Sequence, residues 1–113
     1  GSLRYIAPEV LKGLNLDASP AQDIWALGCI LYALLHGKPA FGGKSRREIS
    51  TRIMTGEYSI DEEVAARCSP ELIDLIKKLL NVDDTNRITM PEILKHPWVT
   101  KDNLAPTKKE PKE

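Results

Sequence analysis

Ser19-Pro20-Ala21-Gln22-Asp23-Ile24-Trp25-Ala26-Leu27-Gly28-Cys29-Ile30-Leu31-Tyr32-Ala33-Leu34-Leu35-His36-Gly37 reads as one helix with both ends marked. Ser19 is a cap, Pro20 a first-turn proline, and Gln22 stands at the capping-box position. Gly37 supplies the left-handed residue that closes the helix, which should run from Pro20 to His36. Its apolar residues do not form a single stripe. Ile24, Trp25, Leu27, Cys29, Ile30, Leu31 and Leu34 go round the whole circumference, and a helix of that kind must be enclosed on all sides. It is not a membrane span, because the apolar run from Ile24 to Leu35 is too short to cross a bilayer and is interrupted by Gly28.

Three further helices follow from the same signals. Ser45 with Glu48 forms a capping box, and Gly56 ends that helix. Ser69-Pro70-Glu71 opens the next, with Leu72, Ile73, Leu75, Ile76, Leu79 and Leu80 on its apolar side. Thr89 with Glu92 opens the last, which Pro97 stops after His96. No useful strand-like alternation occurs, so the chain reads as all-α. The three later helices carry too little apolar surface to enclose the first, and other protein is expected to cover it. Residues 1–18 lead in and 19–100 form the helical body. The polar stretch 101–113, with two prolines and alternating charges, is expected to be a linker or disordered.

The 113 residues suit one small domain or a piece of a larger one. Sixteen basic residues balance 16 acidic ones, which gives no long-range attraction toward nucleic acid or an anionic membrane. Cys29 and Cys68 are far apart and fit a reducing compartment, cytoplasmic or nuclear, rather than a disulfide framework. Cys29 reads as core filling. Gly42-Gly43 lacks the glycine spacing of a phosphate loop, and Asp83-Asp84-Thr85-Asn86 lacks the register and central glycine of a calcium loop. His36 and His96 stand near helix C-termini, where partial positive charge is favourable, and lack metal-site spacing. Gly1-Ser2 reads equally as native sequence or as a remnant of cloning.

Four groups of residues stand in a fixed order: Gly1-Ser2-Leu3-Arg4-Tyr5-Ile6-Ala7-Pro8-Glu9, then Asp23-x-Trp25-x-x-Gly28, then Gly37-x-Pro39-x-Phe41, then Arg87. Over about residues 1 to 100 this set resembles the second half of the large lobe of a eukaryotic protein kinase. Ile30 to Leu35, Ile49-x-x-Arg52-Ile53, Gly56-Glu57-Tyr58 and His96-Pro97-Trp98 are most similar to the calmodulin-dependent and AMP-activated kinase group. The resemblance implies a helical C-terminal half of a kinase-like large lobe. The A-P-E motif closes a kinase's activation segment, so the family's ATP- and metal-binding residues lie upstream of Gly1. It further implies part of a serine/threonine kinase, which moves the γ-phosphoryl group of ATP to a protein hydroxyl. This piece would supply scaffold and substrate-side surface, bind no cofactor or metal and be inactive alone. ATP and magnesium belong to the intact kinase.

The same resemblance implies roles for individual residues. Glu9 and Arg87 would form a structural ion pair, although taken alone each reads as a solvated surface residue. Asp23, with Trp25 and Gly28 in register, would anchor the catalytic loop by accepting backbone N–H bonds; taken alone it is an early-turn acid favoured by the helix dipole. Ser2, Leu3, Tyr5 and Ile6 would lie on the substrate side, where the local reading is an extended lead-in before Pro8. Arg4-Tyr5 replaces the Lys-Trp usual in tyrosine kinases and points to serine/threonine specificity. Two departures are visible: Ala33 stands where arginine-directed kinases carry a glutamate, and Asp84 where the family more often has proline. The implied partners are the remainder of the kinase domain and protein substrates. The alternative is a non-catalytic module, pseudokinase-like or burying its central helix by self-association.

Overall fold

In the computed structural model, which describes residues 3–14 and 17–101, every regular element is helical. A 3-10 turn at Leu3–Tyr5 leads into α1 (Pro8–Leu11). Then come α2 (Pro20–His36), α3 (Arg46–Thr55), α4 (Glu62–Arg67), α5 (Pro70–Leu79) and α6 (Met90–Leu94). Residues 97–101 are helical again. The all-α expectation holds. No helix among the described residues is long and apolar enough to cross a membrane.

The four helices expected from cap chemistry are present, but the caps differ in detail. Ser19 Oγ accepts the Gln22 N–H at 3.4 Å, while the Gln22 amide donates to the Asp17 carbonyl at 2.6 Å, leaving the box half made. Ser45 Oγ accepts the Glu48 N–H at 3.1 Å. The Glu48 carboxylate takes the Lys44 N–H instead, at 2.7 Å, and its other oxygen pairs with Arg52 one turn on. Thr89 and Glu92 do reciprocate, with the Thr89 N–H 2.9 Å from Glu92 Oε1. The last helix stops at Leu94, before Pro97. Proline is well suited to a first helical position, and here it begins the 97–101 stretch rather than ending α6. Helices α1 and α4 were not legible: their caps, Ala7 and Asp61, make no side-chain cap bond. At four and six residues they are too short to form from propensity alone, and packing sets them.

Helix α2 is the centre of the packing. Trp25 stacks on Phe41 with ring centroids 5.4 Å apart, and Cys29, Ile53 and Ile76 join them in the main core. On another side Ile24 packs with Leu75, Leu79, Ile88 and Ile93. Gly28 permits the close crossing of α2 and α5, since a Cβ there would lie 2.8 Å from both Leu79 Cβ and Leu80 Cδ2. The C-terminal end of α2 is tied to the α3–α4 connection. Tyr32 donates its hydroxyl to the Ser59 carbonyl at 2.7 Å, and His36 accepts the Asp61 N–H at 3.2 Å. One face of α2 remains bare: Leu27, Ile30 and Leu34 are exposed, Leu34 by 77%. Full burial of such a side chain is worth about 1.5–3 kcal/mol, of which Leu34 forgoes most and Leu27 and Ile30 less than half.

Candidate functional site

Pro8 at the first position of α1 sets the turn that carries Glu9 inward. Glu9 and Arg87 are 2% and 3% exposed. Arg87 Nη1 donates to Glu9 Oε2 at 2.9 Å and Nη2 to Oε1 at 2.8 Å, the two-pronged geometry that only a guanidinium provides. The remaining donors go to main-chain carbonyls: Nη1 to Ala21 at 2.7 Å and Nε to Asn81 at 2.8 Å. The guanidinium also lies 5.1 Å from the Trp25 ring centroid, a cation–π distance. Burial by itself pushes the Glu9 carboxyl up, but the bonds and charge of Arg87 outweigh it, and the net shift is downward. This cluster fastens α1, the start of α2 and the turn before α6 to one another.

The residues Asp23, Trp25 and Gly28, adjacent in sequence, separate in space. Trp25 is fully buried beside Arg87, and Gly28 faces α5. Asp23 is exposed. With Leu27, Ile30 and Leu34 it follows the spacing of a single helix face, so a carboxylate heads an otherwise apolar stripe. That stripe borders an apolar cleft of about 180 Å³, closed on its other side by Leu75, Leu79, Ile93, Trp98 and Val99.

The segment before α1 packs against α2 and α3. Leu3 is half-buried against the main core, Ile6 is half-buried with its N–H donating to the Leu3 carbonyl at 3.1 Å, and Tyr5 is exposed. Ser2 lies outside the described residues.

A family profile described as the protein kinase domain matches residues 1–99. The chain belongs to the protein kinase domain family. Among curated kinases it is 42% identical over 106 residues to calcium-dependent protein kinase 17 of Arabidopsis thaliana, covering 94% of this chain and 20% of the relative. It is 43% identical over 103 residues to a calcium and calcium/calmodulin-dependent serine/threonine-protein kinase of Lilium longiflorum, covering 91% and 19%. Among solved kinases, the autoinhibited serine kinase domain of the giant muscle protein titin superposes with a TM-score of 0.80 at 37% identity, covering 88% of this chain and 30% of that one. The twitchin kinase region of C. elegans superposes with a TM-score of 0.78 at 31% identity, covering 85% and 17%. The chain thus spans about a fifth of the length of the curated kinases it matches.

Among the described residues no three His, Cys, Asp or Glu side chains gather into a group that could hold a metal ion. At Gly43 the Glu48 carboxylate oxygen lies 3.1 Å from where a Cβ would stand, which sets a negative charge beside the glycine pair. Cys29 is chemically quiet, its thiol pushed up to about 12 by burial.

One cluster was missed in the sequence. His96 does stand at the C-terminus of α6, its N–H donating to the Ile93 carbonyl at 3.0 Å, and it is buried there. Its Nε2 lies 2.8 Å from Asp74 Oδ2, which Lys78 also reaches at 2.9 Å. These contacts hold the Asp74 carboxyl below its ordinary range, Lys78 contributing first and His96 next. Asp74 and Lys78 are four apart on α5 and legible as a pair; His96 is not, since its approach depends on where α6 stops.

Proposed function

We propose that this chain is the scaffold and substrate-side part of a protein serine/threonine kinase, and that the bare stripe of α2 receives the part of the domain that holds ATP and magnesium. One observation carries the reading: Asp23, Leu27, Ile30 and Leu34 share an exposed face, while Trp25 and Gly28 lock the opposite face into the core. A carboxylate next to exposed leucines suits a neighbour that presents main-chain N–H groups beside an apolar helix. Asp23 acts there as an anchor for the catalytic loop and not as a general base. Glu9 and Arg87 are structural, holding the segment before α2 in place. Ser2, Leu3, Tyr5 and Ile6 form the substrate-side edge. Residues 1–18 end the activation segment, 19–100 form the helical body, and 101–113 are a tail. The serine/threonine choice draws support from the names of the relatives and from Arg4-Tyr5. In the intact enzyme the γ-phosphoryl group passes to a protein hydroxyl; this chain alone neither binds ATP nor transfers phosphate.

The test is a chimera in which residues 1–99 replace the matching region of the Arabidopsis relative. The chimera is expected to phosphorylate a serine peptide, and Asp23→Ala to lower its turnover by roughly a hundredfold through misplacement of the catalytic loop. Full activity of Asp23→Ala rejects the anchor role. Calorimetry of the 113-residue chain with ATP checks the rest, and a saturating heat overturns the expected inactivity.

A second reading rests on the same bare face. Leu27, Ile30 and Leu34 are exposed in a row, and a second copy of the chain is an alternative cover, which makes the protein a self-associating or pseudokinase-like interaction module. Light scattering that shows a folded monomer at high concentration removes it.

A further inference from the structure

Beyond its place in the His96-Pro97-Trp98 resemblance, His96 is given no role in the kinase reading, although it is only 4% exposed. Its ring nitrogens meet different partners. Nδ1 lies 3.1 Å from the main-chain N of Trp98. A peptide N–H can only donate, so Nδ1 is a lone-pair acceptor. Nε2 lies 2.8 Å from Asp74 Oδ2 and therefore carries the single ring proton, donated to the carboxylate. The His96 carbonyl accepts the N–H groups of Val99 and Thr100 at 2.9 and 3.0 Å. The imidazole thus does for residues 97–101 what a serine or asparagine does at an ordinary helix N-cap. Trp98 and Val99, held by this cap, form one wall of the apolar cleft against α2.

We propose that His96 is a proton-operated latch on that wall. A second ring proton, taken from solvent at Nδ1, turns the acceptor into a donor facing the Trp98 N–H. The cap bond is lost, and Trp98 is released from the cleft. The charged groups around the ring allow this without breaking α5. Asp74 faces Nε2 and balances the added charge, Lys78 on the same oxygen opposes it, and Glu71 is engaged by Lys101 at 2.8 Å. Glu92 and Lys95, which share a second cleft with His96 and Lys78, offset one another. Acidification therefore opens the Trp98 wall while the contacts of α2 with α5 persist. The inference stands on this geometry and does not depend on the kinase reading.

The test is nuclear magnetic resonance of the 113-residue chain from about pH 8 to about pH 5, the range in which histidines change charge. It follows the His96 ring and the exchange of the Trp98 amide, corrected for intrinsic exchange. Protection of the Trp98 amide is expected to fall roughly five- to tenfold in step with the His96 ring, the size of a lost N-cap bond. His96→Asn keeps an acceptor oxygen at the Nδ1 position and does not titrate, so its Trp98 amide should stay protected throughout. His96→Ala should leave it unprotected throughout. Asp74→Asn removes the carboxylate's own titration and should retain the transition at lower pH. His36 serves as an internal control, because its Nε2 accepts the Asp61 N–H and its titration should move that amide instead. The latch is overturned if Trp98 protection stays constant while His96 titrates. A His96 ring that remains neutral until the whole chain unfolds, or a transition that survives in His96→Asn, rejects it equally.

Discussion

Replacing Glu9 with alanine leaves the Arg87 guanidinium inside the protein without its carboxylate. Two charge-assisted bonds, at 2.8 and 2.9 Å, disappear. Breaking a buried pair from one side typically costs about 3–5 kcal/mol. Arg87 keeps the Ala21 and Asn81 carbonyls and the face of Trp25, which places the expected loss at the lower end, about 3 kcal/mol. With a urea dependence of roughly 1–3 kcal/mol per molar for a small domain, the midpoint should move down by about 1–3 M. Arg87→Ala strands Glu9 in turn and uncovers Trp25. The double variant Glu9→Ala/Arg87→Ala should be better than the sum of the two by about 2–3 kcal/mol, since neither charge is then left alone. Circular dichroism during urea unfolding reads all four corners of the cycle. A single-variant loss below about 1 kcal/mol, or simple additivity, refutes the claim that the pair acts as a unit. Acid offers an independent check. The folded-state pKa of Glu9 is depressed, so its contribution is present above the unfolded carboxylate's pKa and is lost as pH falls through the folded value. Glu9→Gln should flatten that part of the acid limb.

Three other outcomes follow from the packing. Gly28→Ala inserts a Cβ 2.8 Å from Leu79 and Leu80 and should lower stability by about 1–3 kcal/mol in a thermal melt. Gly37→Ala and Gly56→Ala share a left-handed backbone, with φ of 73° and 69°. The first faces open space and should cost about 1–2 kcal/mol; the second also collides with Val82 Cγ2 and should cost more, with equal losses disproving the collision. Leu34→Glu, at the most exposed position of the stripe, should change unfolding by under about 0.5 kcal/mol. It should abolish any concentration-dependent association seen by sedimentation, and a large loss of stability means that Leu34 is packed in solution.

What could be read in the chain was the chemistry of helix ends and the total apolar load. Ser19, Ser45, Ser69 and Thr89 each mark a helix start because a cap is a local interaction within three residues. Helices α1 and α4 carry no such mark. The all-round apolar character of α2 was visible, but which face would stay bare was not. That choice is made by Phe41 on Trp25 and by Leu79 and Leu80 on Gly28, contacts between residues far apart in the chain. The same contacts separate Asp23 from Trp25 and Gly28, which the motif presents as one unit. His96 could be read as lying near a helix C-terminus, but its contact with Asp74 could not, because helix patterning runs through Lys95 and the chain turns there to bury the ring.

The bonds between Glu9 and Arg87 join positions 78 residues apart. Closing a flexible loop of that length costs about 4 kcal/mol of chain entropy. Little rewards that closure until α2 and α5 have already come together. The clamp therefore belongs on the native side of the folding barrier. Breaking it should leave the refolding rate almost unchanged and accelerate unfolding by nearly the whole of the lost stability. In that sense the pair acts less as a foundation of the fold than as a bolt: it does not help the helices assemble, but it determines how long they stay assembled.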